Sequence, residues 1–468
     1  RERPICAQTG ACATTAYSPD CSKRAFEVPI LSAAADNGRP RGGAGDERES
    51  PFGKNGVYME VKEPSARYLV RRAYKLTEVG VIPEDWVVSS IGKVAPLQRG
   101  FDLVSSQLTN GVYPVVYSNG IMNFHNHAMV RGPGVVTGRS GTIGKIQYIE
   151  SDFWPHNTSL WVTRFNGNNP RFIFYLYCAV DFGRFASGSG VPTLNRNDAH
   201  AFSVALPSTA AEQEAIAKAL SDADALIESL EQLITKKRNL KQGAMQELLT
   251  GEKRLPGFNG EWKVRLLGDL FEFSGGFSAS RDQLSLEGHC YLHYGDIHKS
   301  TKSYVNVKAE NTDIPKLNIT LSKVSRVSLL EDGDVVFVDA SEDDEGTSKH
   351  VVIVNKSKMP FISGLHTIVA KNKTNELDHA YERYCFQARS TKQQFLFFAV
   401  GTKVSGISKT NIAKIAIPVP SVPEQTAIAT ILSDMDAEIT ALETKLTKAR
   451  HIKQGMMQEL LTGRIRLL

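Results

Sequence analysis

A glycine-rich stretch carries the side chains best suited to contact a phosphate or a base edge. Residues 138–145 read GRSGTIGK, so an arginine, a lysine and two hydroxyls lie among three glycines. Glycine permits close approach of the backbone to a ligand, and the polar side chains supply hydrogen-bond donors. The stretch is not a P-loop, because that motif needs Ser or Thr after its lysine and Lys145 is followed by isoleucine. It fits either a nucleic-acid-contacting loop or a tight hairpin with a solvated tip.

Polar loop residues in both halves of the chain extend this candidate set. Arginine can donate two hydrogen bonds to a guanine, whereas lysine is suited to a phosphate. The same residue types also shape ordinary turns, so the alternative for each of them is a purely structural role. The predicted nucleic-acid contacts are Arg139, Ser140, Thr142, Lys145, Asn157 and Thr158 in the first half, and Ser341, Ser348, Lys349, Lys403, Ser405 and Lys409 in the second.

The motifs that would support catalysis on DNA are missing from the sequence. The run at 169–171 is Asn-Pro-Arg, a near miss of the Asn-Pro-Pro-aromatic motif for amino methylation. No glycine-rich loop opens a clear βαβ unit for S-adenosylmethionine, and no Walker motif supports ATP hydrolysis. The acidic run at 342–345 has no Glu-x-Lys partner at nuclease spacing, which favours a solvated turn. We predict no catalytic residue and no metal ligand, with a self-sufficient DNA methyltransferase or nuclease as the alternative.

Two long amphipathic stretches must position these loops. Residues 220–251 and 432–463 are identical at 21 of 32 positions, at an offset of 212 (432 − 220). A repeat of this length indicates two similar halves rather than a solenoid. Apolar residues recur in each copy at alternating spacings of three and four, which predicts the seam of a coiled coil. The predicted seam residues are Ile216, Leu220, Ile227, Leu230 and Ile234 in the first copy, and Ile428, Leu432, Met435, Ile439, Leu442 and Leu446 in the second.

Helix start and stop signals agree between the two copies. A Pro-Ser pair precedes each periodic run, Glu212 and Glu424 fall in the first turns, and Thr-Gly closes each copy. Each copy also holds one internal glycine, Gly243 or Gly455. A glycine within a helix costs up to about 1 kcal/mol relative to alanine. Its presence in both copies predicts a close backbone contact, with a harmless weak spot as the alternative.

The remaining sequence forms two globular segments that open in the same way. Trp86 matches Trp262 and Gly92 matches Gly268, both at an offset of 176 (262 − 86). Short strands and glycine-rich turns follow, and each segment then leads through one helix into a long helix. The predicted strands are 113–118, 134–138, 145–149 and 159–165 in the first segment and 333–341, 349–356 and 363–373 in the second, and the predicted helices are 169–182 and 379–401. The predicted divisions are a disordered N-terminal extension at 1–75, a first globular domain at 76–208, a first spacer helix at 209–252, a second globular domain at 253–420 and a second spacer helix at 421–468.

The composition is that of a folded protein with several domains. The chain has 468 residues, a hydrophobic content of 41% and a net charge of +5, which favours an acidic partner only weakly. The six cysteines show no metal-ligand or redox spacing, which is typical of reduced thiols in the cytoplasm. No apolar run reaches the roughly 18 residues of a membrane span, and no signal-peptide pattern opens the chain. We therefore predict a cytoplasmic protein.

The chain resembles the specificity subunits of type I restriction-modification systems. The resemblance implies an α+β fold, in which two α/β target recognition domains are separated by two long antiparallel coiled-coil helices related by a pseudo-twofold repeat. A coiled-coil scaffold without DNA recognition would leave the two globular domains without a purpose. The matching stretches are TEVGVIPEDW, GRSGTIGK, the Glu-Gln pairs at 212–213 and 424–425, and the twice-used KQGxMQELLTG.

The resemblance also implies a function in host defence without catalysis by this chain. Each target recognition domain would read one half of a bipartite, asymmetric site on double-stranded DNA. The helices would set the gap between the half-sites and bind modification subunits, which methylate adenine with S-adenosylmethionine. A restriction subunit would add translocation driven by ATP, and cleavage. The cofactors S-adenosylmethionine, ATP and Mg are thus expected on partner subunits, and none is expected on this chain.

Overall fold

The computed structural model of the chain describes residues 58–63, 66–71, 73–188, 190–300, 302–341, 346, 349–401 and 405–467. These residues form an α+β protein that divides into two compact units. The chain up to Ser229 and the chain from Leu446 onward form the first unit, and Leu230–Lys445 forms the second. Each unit therefore holds one globular domain and a portion of both long helices.

The two long helices predicted from the repeat are confirmed. They span Ala210–Thr250 and Val422–Leu460. Gly251 and Gly463 follow them with φ angles of 77° and 71°. Glycine adopts this left-handed conformation at little cost and commonly ends a helix. The Thr-Gly pair at the end of each copy is thus the stop signal that the sequence indicated.

Segments of the two helices run antiparallel within each unit. In the second unit Lys237 pairs with Glu438, and Lys241, further along the first helix, pairs with the earlier Asp436. In the first unit Lys453 pairs with Asp224. In the second unit both pairs are reached by water, and ion pairs of that kind contribute at most about 1 kcal/mol each. The stability of the helix pair there therefore depends mainly on apolar contacts.

The predicted seam residues divide between the domain cores and the helix pair. Ile216 and Leu220 lie in the core of the first unit with Met457 from the second helix. Ile428 and Leu432 lie in the core of the second unit beside the end of the first helix. The start of each helix thus serves as a core element of a domain, because sheet and helix residues of that domain cover its apolar face. Ile234, Ile439, Leu442 and Leu446 are also buried, and Ile227, Leu230 and Met435 are half-buried.

Two small sheets form the frame of the first domain. The helix Pro170–Ala179 packs on the larger sheet and carries six consecutive buried residues. The predicted strands of this domain are confirmed to within a residue or three at their ends. The larger sheet has the order Ile146–Ile149, Gly134–Gly138, Ser159–Val162 and Leu97–Arg99, and the smaller has the order Trp154–Pro155, Tyr113–Tyr117 and Gly120–His125.

The second domain repeats this plan with additional strands. One prediction here is wrong, because the single helix expected over 379–401 is two helices, His379–Cys385 and Arg389–Phe398. The break places Phe386 in the core, where its ring centroid lies 5.2 Å from that of Phe337. The larger sheet has the order Phe271–Gly275, Thr367–Asn372, Val335–Val338, His350–Val354 and Tyr304–Asn306, and the smaller has the order Leu284–Ser285, Lys316–Leu317, His289–Leu292 and Phe361–Ser363.

Each domain begins and ends on one pair of antiparallel strands. Val87–Ser90 pairs with Ser203–Leu206, and Lys263–Leu266 pairs with Ala416–Val419. The last strand of each pair leads directly into a long helix. The remaining short helices are Ile91–Val94, Arg196–Ala201, Leu267–Leu270, Tyr294–Lys299 and Lys409–Ile412, and the remaining strand pairs are Tyr74–Thr77 with Gly80–Pro83, Ala186–Ser187 with Thr193–Leu194, and Ala340–Ser341 with Ser405–Gly406.

The N-terminal extension is partly structured. Tyr58–Glu63 pairs with Ala66–Arg71 as two antiparallel strands, within the stretch 1–75 for which we expected no regular structure. Both strands contain β-branched or aromatic residues that favour extended backbone. Residues 1–57 of this predicted extension lie outside the described residues. In the described part of the chain, no helix is long and apolar enough to cross a membrane.

Candidate nucleic-acid interface

The loop at 139–145 begins where a strand of the larger sheet ends in the first domain. The N–H of Arg139 donates to the carbonyl of Thr158 at 2.8 Å, and its own carbonyl accepts from the N–H of Leu194 at 2.8 Å. The N–H of Ser140 donates to the same Thr158 carbonyl at 3.2 Å. The structure thus brings Arg139, Ser140 and Thr158 together. The Arg139 side chain is half-buried and has no hydrogen-bond or ion-pair partner among the described residues.

Glycine gives this loop its tight course. A Cβ atom on Gly138 would lie 1.7 Å from the carbonyl oxygen of Thr142, so no other residue fits there without a shift of the backbone. Gly141 and Gly144 have positive φ angles of 80° and 83°. Thr142 lies between them and is exposed. The loop therefore presents Thr142 to solvent while its base is packed against the domain.

Three other predicted contacts of the first domain have partners within the fold. The Lys145 ammonium donates to the carbonyl of Asn119 at 2.9 Å, and the Asn157 amide donates to the carboxylate of Asp102. The Thr158 hydroxyl lies 3.0 Å from a ring nitrogen of His156. Burial lowers the pKa of His156, which favours the neutral ring. Lys145, Asn157 and Thr158 therefore support neighbouring loops, and each keeps some hydrogen-bonding capacity for a ligand.

The predicted contacts of the second domain are only partly brought together. Ser341 is buried and pairs with Ser405 across the short strand pair at the end of the sheet. The Lys349 ammonium donates to the carbonyl of His298. Lys409 opens a four-residue helix and is exposed. Two further predicted contacts, Ser348 and Lys403, lie outside the described residues, and so does the acidic run at 342–345.

Sequence reasoning missed a polar group at the end of the central strand in the second domain. The N–H of Asp339 donates to the carbonyl of His366 at 3.2 Å, and its carbonyl accepts from the N–H of Ile407 at 2.8 Å. One Asp339 carboxylate oxygen lies 3.4 Å from Nδ1 of His366. The sequence of 333–341 predicts only a strand. Asp339 is identified by comparing the strand order of the two domains.

A second group missed from the sequence adjoins His366. The Tyr294 ring lies 5.4 Å from the His366 ring, edge to face. Nearby, Arg281 donates to Asp296 at 3.0 Å and lies 3.3 Å from Nδ1 of His293. Burial, followed by the charge of Arg281, lowers the pKa of His293. Among the described residues, no group of three or more His, Cys, Asp or Glu side chains could hold a metal ion.

A buried polar clamp fastens each domain to the long helices, and it occurs once in each unit. In the first unit the indole N–H of Trp86 donates to the Glu212 carboxylate at 3.3 Å, and Arg466 donates to the same carboxylate at 2.8 Å. Glu212 lies in the first turn of one helix, while Arg466 follows the end of the other. The matching residues of the second unit are Trp262, Glu424 and Arg254.

A second repeated group joins a helix of each domain to the helix pair. In the first unit the Tyr175 hydroxyl donates to buried Asp224 at 2.7 Å, and Lys453 pairs with the same carboxylate. The paired positions again differ by 212, since 224 + 212 = 436 and 241 + 212 = 453. The matching residues of the second unit are Tyr384, Asp436 and Lys241.

Comparison with known proteins accounts for this duplicated frame. A family model described as the type I restriction modification DNA specificity domain matches residues 83–237 and 259–449, which together exceed half of the chain. The chain belongs to this family. The resemblance seen in the sequence is therefore confirmed, and the protein is a non-catalytic specificity subunit of the type I restriction-modification kind.

Two relatives and one solved structure agree with this assignment. The chain is 23% identical over 435 residues to the putative type I restriction enzyme MjaX specificity subunit of Methanocaldococcus jannaschii, covering 84% of this chain and 97% of that one. It is 24% identical over 296 residues to the MjaVIII specificity subunit of the same organism, covering 60% and 66%. The S subunit of M. genitalium has the same fold, with a TM-score of 0.54, 16% identity and coverage of 80% and 96%.

Membership of the family implies that this specificity subunit acts on DNA as part of a larger assembly. It does not identify which loop residues reach the DNA. The twelve predicted contacts therefore stay predictions, and the geometry distinguishes two kinds among those described. Arg139 and Thr142 present side chains without an internal partner among the described residues, whereas Lys145, Asn157 and Lys349 also hold the fold together.

Proposed function

We propose that this specificity subunit recognises a bipartite, asymmetric site on double-stranded DNA, with each target recognition domain reading one half. One observation carries the proposal. The contacts that join domain to helix are repeated residue for residue in the two units, whereas the loops differ in chemistry. A duplicated frame with unlike loops is suited to hold two readers of different sequence. The Trp86 and Trp262 clamps are the repeated part, and Arg139 and Asp339 illustrate the unlike part.

The antiparallel helices would serve as the spacer between the half-sites. Each helix begins in the core of one unit and ends in the core of the other. A continuous helix has a defined rise of 1.5 Å per residue. DNA rises about 3.4 Å per base pair along each strand. A spacer of constant length would therefore fix the number of unread base pairs between the two half-sites.

Exposed apolar positions on the helices supply candidate surfaces for modification subunits. Leu240 and Ile452 are each 51% exposed, at equivalent places in the two copies. The neighbouring Gly243 and Gly455 have no atom within 4 Å of a Cβ built on them, apart from their own helix. The expected close contact at these glycines is therefore wrong within the described part of the chain. Because these glycines have no side chain and lie beside an exposed apolar residue, a helix of a partner subunit could approach the long helix closely in each unit.

The chemistry of the complex would come from its partner subunits. Modification subunits would supply S-adenosylmethionine and methylate adenine at both half-sites. A restriction subunit would use ATP and Mg to translocate and cut unmodified DNA as a host defence. The specificity subunit would bring these activities to one DNA site in the cytoplasm.

The proposal is tested by co-expressing the full chain with a modification subunit in a host that lacks its own adenine methylation. The complex is purified through a tag on the specificity subunit, and methylated adenines are mapped across the host genome. The expected result is one bipartite motif, with a methylated adenine in each half and a gap of constant length. The matched control is the modification subunit expressed alone, which should leave the genome unmethylated.

Two outcomes would contradict the proposal. A single continuous motif would show that the two domains do not read separate half-sites. Methylation or cleavage by the purified chain alone would instead support the self-sufficient enzyme that the missing motifs disfavour.

A further inference from the structure

Arg139 and Asp339 occupy the same place in their respective domains. Each follows an inner strand of the larger sheet, and each is held by two backbone hydrogen bonds. The carbonyl of each accepts at 2.8 Å, from Leu194 in the first domain and from Ile407 in the second. Hydrogen bonds to both the N–H and the carbonyl of a residue hold its backbone in place, and the backbone sets the direction of the Cα–Cβ bond. Arg139 and Asp339 are thus equivalent positions, held by corresponding backbone hydrogen bonds in the two domains.

The partners on the other side of this position also correspond. The N–H of Arg139 donates to Thr158 at 2.8 Å, and the N–H of Asp339 donates to His366 at 3.2 Å. Both acceptors lie just before the neighbouring strand of the sheet. The next residue along the chain is also paired in each domain. Ser140 forms a β-bridge with Thr193, and Ala340 pairs with Gly406. The correspondence therefore rests on contacts with two neighbouring segments in each domain and not on one hydrogen bond.

The two side chains at this shared position carry opposite charges. Arg139 is a cation without a partner among the described residues. One carboxylate oxygen of Asp339, Oδ1, is buried and accepts no hydrogen bond there, although Nδ1 of His366 lies 3.4 Å away. This distance permits electrostatic attraction, but the alignment is not that of a hydrogen bond. A buried acceptor without a donor is costly. The Asp339 side chain as a whole is 34% exposed, so the part of it that a ligand can reach lies outside this buried oxygen.

The charge of Asp339 limits what it can contact on DNA. A carboxylate repels phosphate oxygens, so a role in holding the DNA backbone is excluded. In the major groove, the hydrogen-bond donors on base edges are the exocyclic amino groups of cytosine and adenine. A carboxylate accepts a hydrogen bond from such an amino group, whereas arginine donates to the acceptors of guanine. Arg139 and Asp339, with opposite charges at equivalent positions, would therefore select different bases in the two half-sites.

We propose that Asp339 is a specificity-determining residue, which reads a cytosine N4 or adenine N6 amino group in the half-site of the second domain. His366 is a positioning residue, because its ring lies against the carboxylate and its carbonyl holds the Asp339 backbone. The inference rests on the proposed function, since it requires that each domain reads one half-site. Beyond the proposed function, the inference identifies the residue that reads the DNA, the groove in which it does so and the class of base group that it contacts.

The test uses the complex of the full chain with a modification subunit and a plasmid library that carries randomised half-sites. Methylated sequences are read for the wild-type chain, Asp339→Ala and Asp339→Asn. For Asp339→Ala we expect one position of the second half-site to lose about tenfold in discrimination, while the first half-site is unchanged. For Asp339→Asn we expect the preference at that position to move toward adenine, which asparagine binds at N6 and N7. The matched control is Asp313→Ala, an exposed aspartate of the same domain, which should leave the motif unchanged.

Separate results would overturn the inference and the proposed function. If the wild-type complex methylates a bipartite motif and both Asp339 variants keep that motif at full strength, Asp339 does not read a base. If both variants lower methylation of all sequences equally, Asp339 has only a structural role. Asp339→Asn keeps the shape of the side chain and decides the matter should Asp339→Ala fail to fold. A wild-type complex without any bipartite motif overturns the proposed function itself.

Discussion

Trp262 donates its indole N–H to the Glu424 carboxylate at 3.0 Å, which ties the opening of the second domain to the first turn of its long helix. Trp86 makes the same bond to Glu212 in the other unit. In both units an arginine that follows the end of the other helix completes the group. Each domain is therefore held by the start of one helix and the end of the other. This arrangement couples the folding of each domain to the pairing of the helices.

Loss of the Glu212 carboxylate should destabilise the first unit. Trp86 is fully buried, so Glu212→Ala would leave its N–H without an acceptor, at a cost of about 2 kcal/mol. Urea denaturation of the full chain measures the change in the free energy of unfolding. Glu214→Ala, at an exposed position in the same helical turn, is the control and should change that free energy by less than about 0.5 kcal/mol. Equal effects of the two substitutions would show that the clamp does not stabilise the unit.

The two tyrosine–aspartate bonds should differ in strength. Tyr175 donates to Asp224, whose side chain is 4% exposed, and Tyr384 donates to Asp436, whose side chain is 40% exposed. A hydrogen bond to a charged group contributes about 1.5–3 kcal/mol, and less where water can replace it. We therefore expect Tyr175→Phe to lower the free energy of unfolding more than Tyr384→Phe does. The reverse order in urea denaturation would contradict the burial argument.

Burial raises the pKa of the Glu382 carboxyl well above its usual range. Glu382 is fully buried, and neither carboxylate oxygen has a hydrogen-bond partner among the described residues. The folded protein therefore favours the protonated form. The stability that the protonated Glu382 carboxyl confers is fully present below its pKa in the unfolded chain, about 4.3. This stability is lost as pH rises toward the pKa of Glu382 in the folded protein, by about 1.4 kcal/mol per pH unit.

Glu382→Gln should remove this dependence on pH. The neutral amide resembles the protonated acid in shape, so the variant should melt at a higher temperature than the wild-type chain at pH 8. The two should melt alike near pH 4. Thermal denaturation followed by circular dichroism across this range gives the comparison. Glu287→Gln, at an exposed site in the same domain, should show no such change. A wild-type chain whose stability relative to Glu382→Gln is constant with pH would contradict the prediction.

Arg139 and Lys145 should affect DNA recognition in different ways. If Arg139 donates two hydrogen bonds to guanine, Arg139→Ala should relax one base of the first half-site, with a loss of about 1–3 kcal/mol in discrimination. Lys145→Ala should weaken binding to all sequences alike and lower the dependence of binding on salt, as expected for a phosphate contact. Methylation mapping and binding titrations at several salt concentrations measure both effects. An unchanged motif in Arg139→Ala would remove Arg139 from the readout.

Lengthening both helices should change the gap and leave the half-sites unchanged. One extra helical turn, inserted after Ser229 and after Lys445, adds about 5.4 Å to each helix. At about 3.4 Å per base pair, the gap in the methylated motif should grow by one or two base pairs. Lengthening one helix alone is the control, because the mismatched pair should assemble poorly. A gap of unchanged length in the doubly lengthened variant would contradict a spacer role.

The long helices could be predicted from the sequence because their signals are local. The apolar period, the acidic first turn and the closing Thr-Gly pair all lie within the helix that they define. The strand Gly134–Gly138 was predicted with its exact bounds for the same reason. The motifs of the family are also contiguous, so the assignment to specificity subunits needed no structure.

Which side chains meet was decided only by the tertiary structure. Trp86 and Glu212 are separated by 126 residues, and no local pattern relates them. The burial of Ile216 in a domain core depends on how the domain packs on the helix, because a period of three and four fits a core helix as well as a coiled coil. The correspondence of Arg139 with Asp339 is set by strand order and register. The sequence gives no sign that an arginine and an aspartate are equivalent. Only their corresponding backbone hydrogen bonds show that they occupy the same position in the two domains.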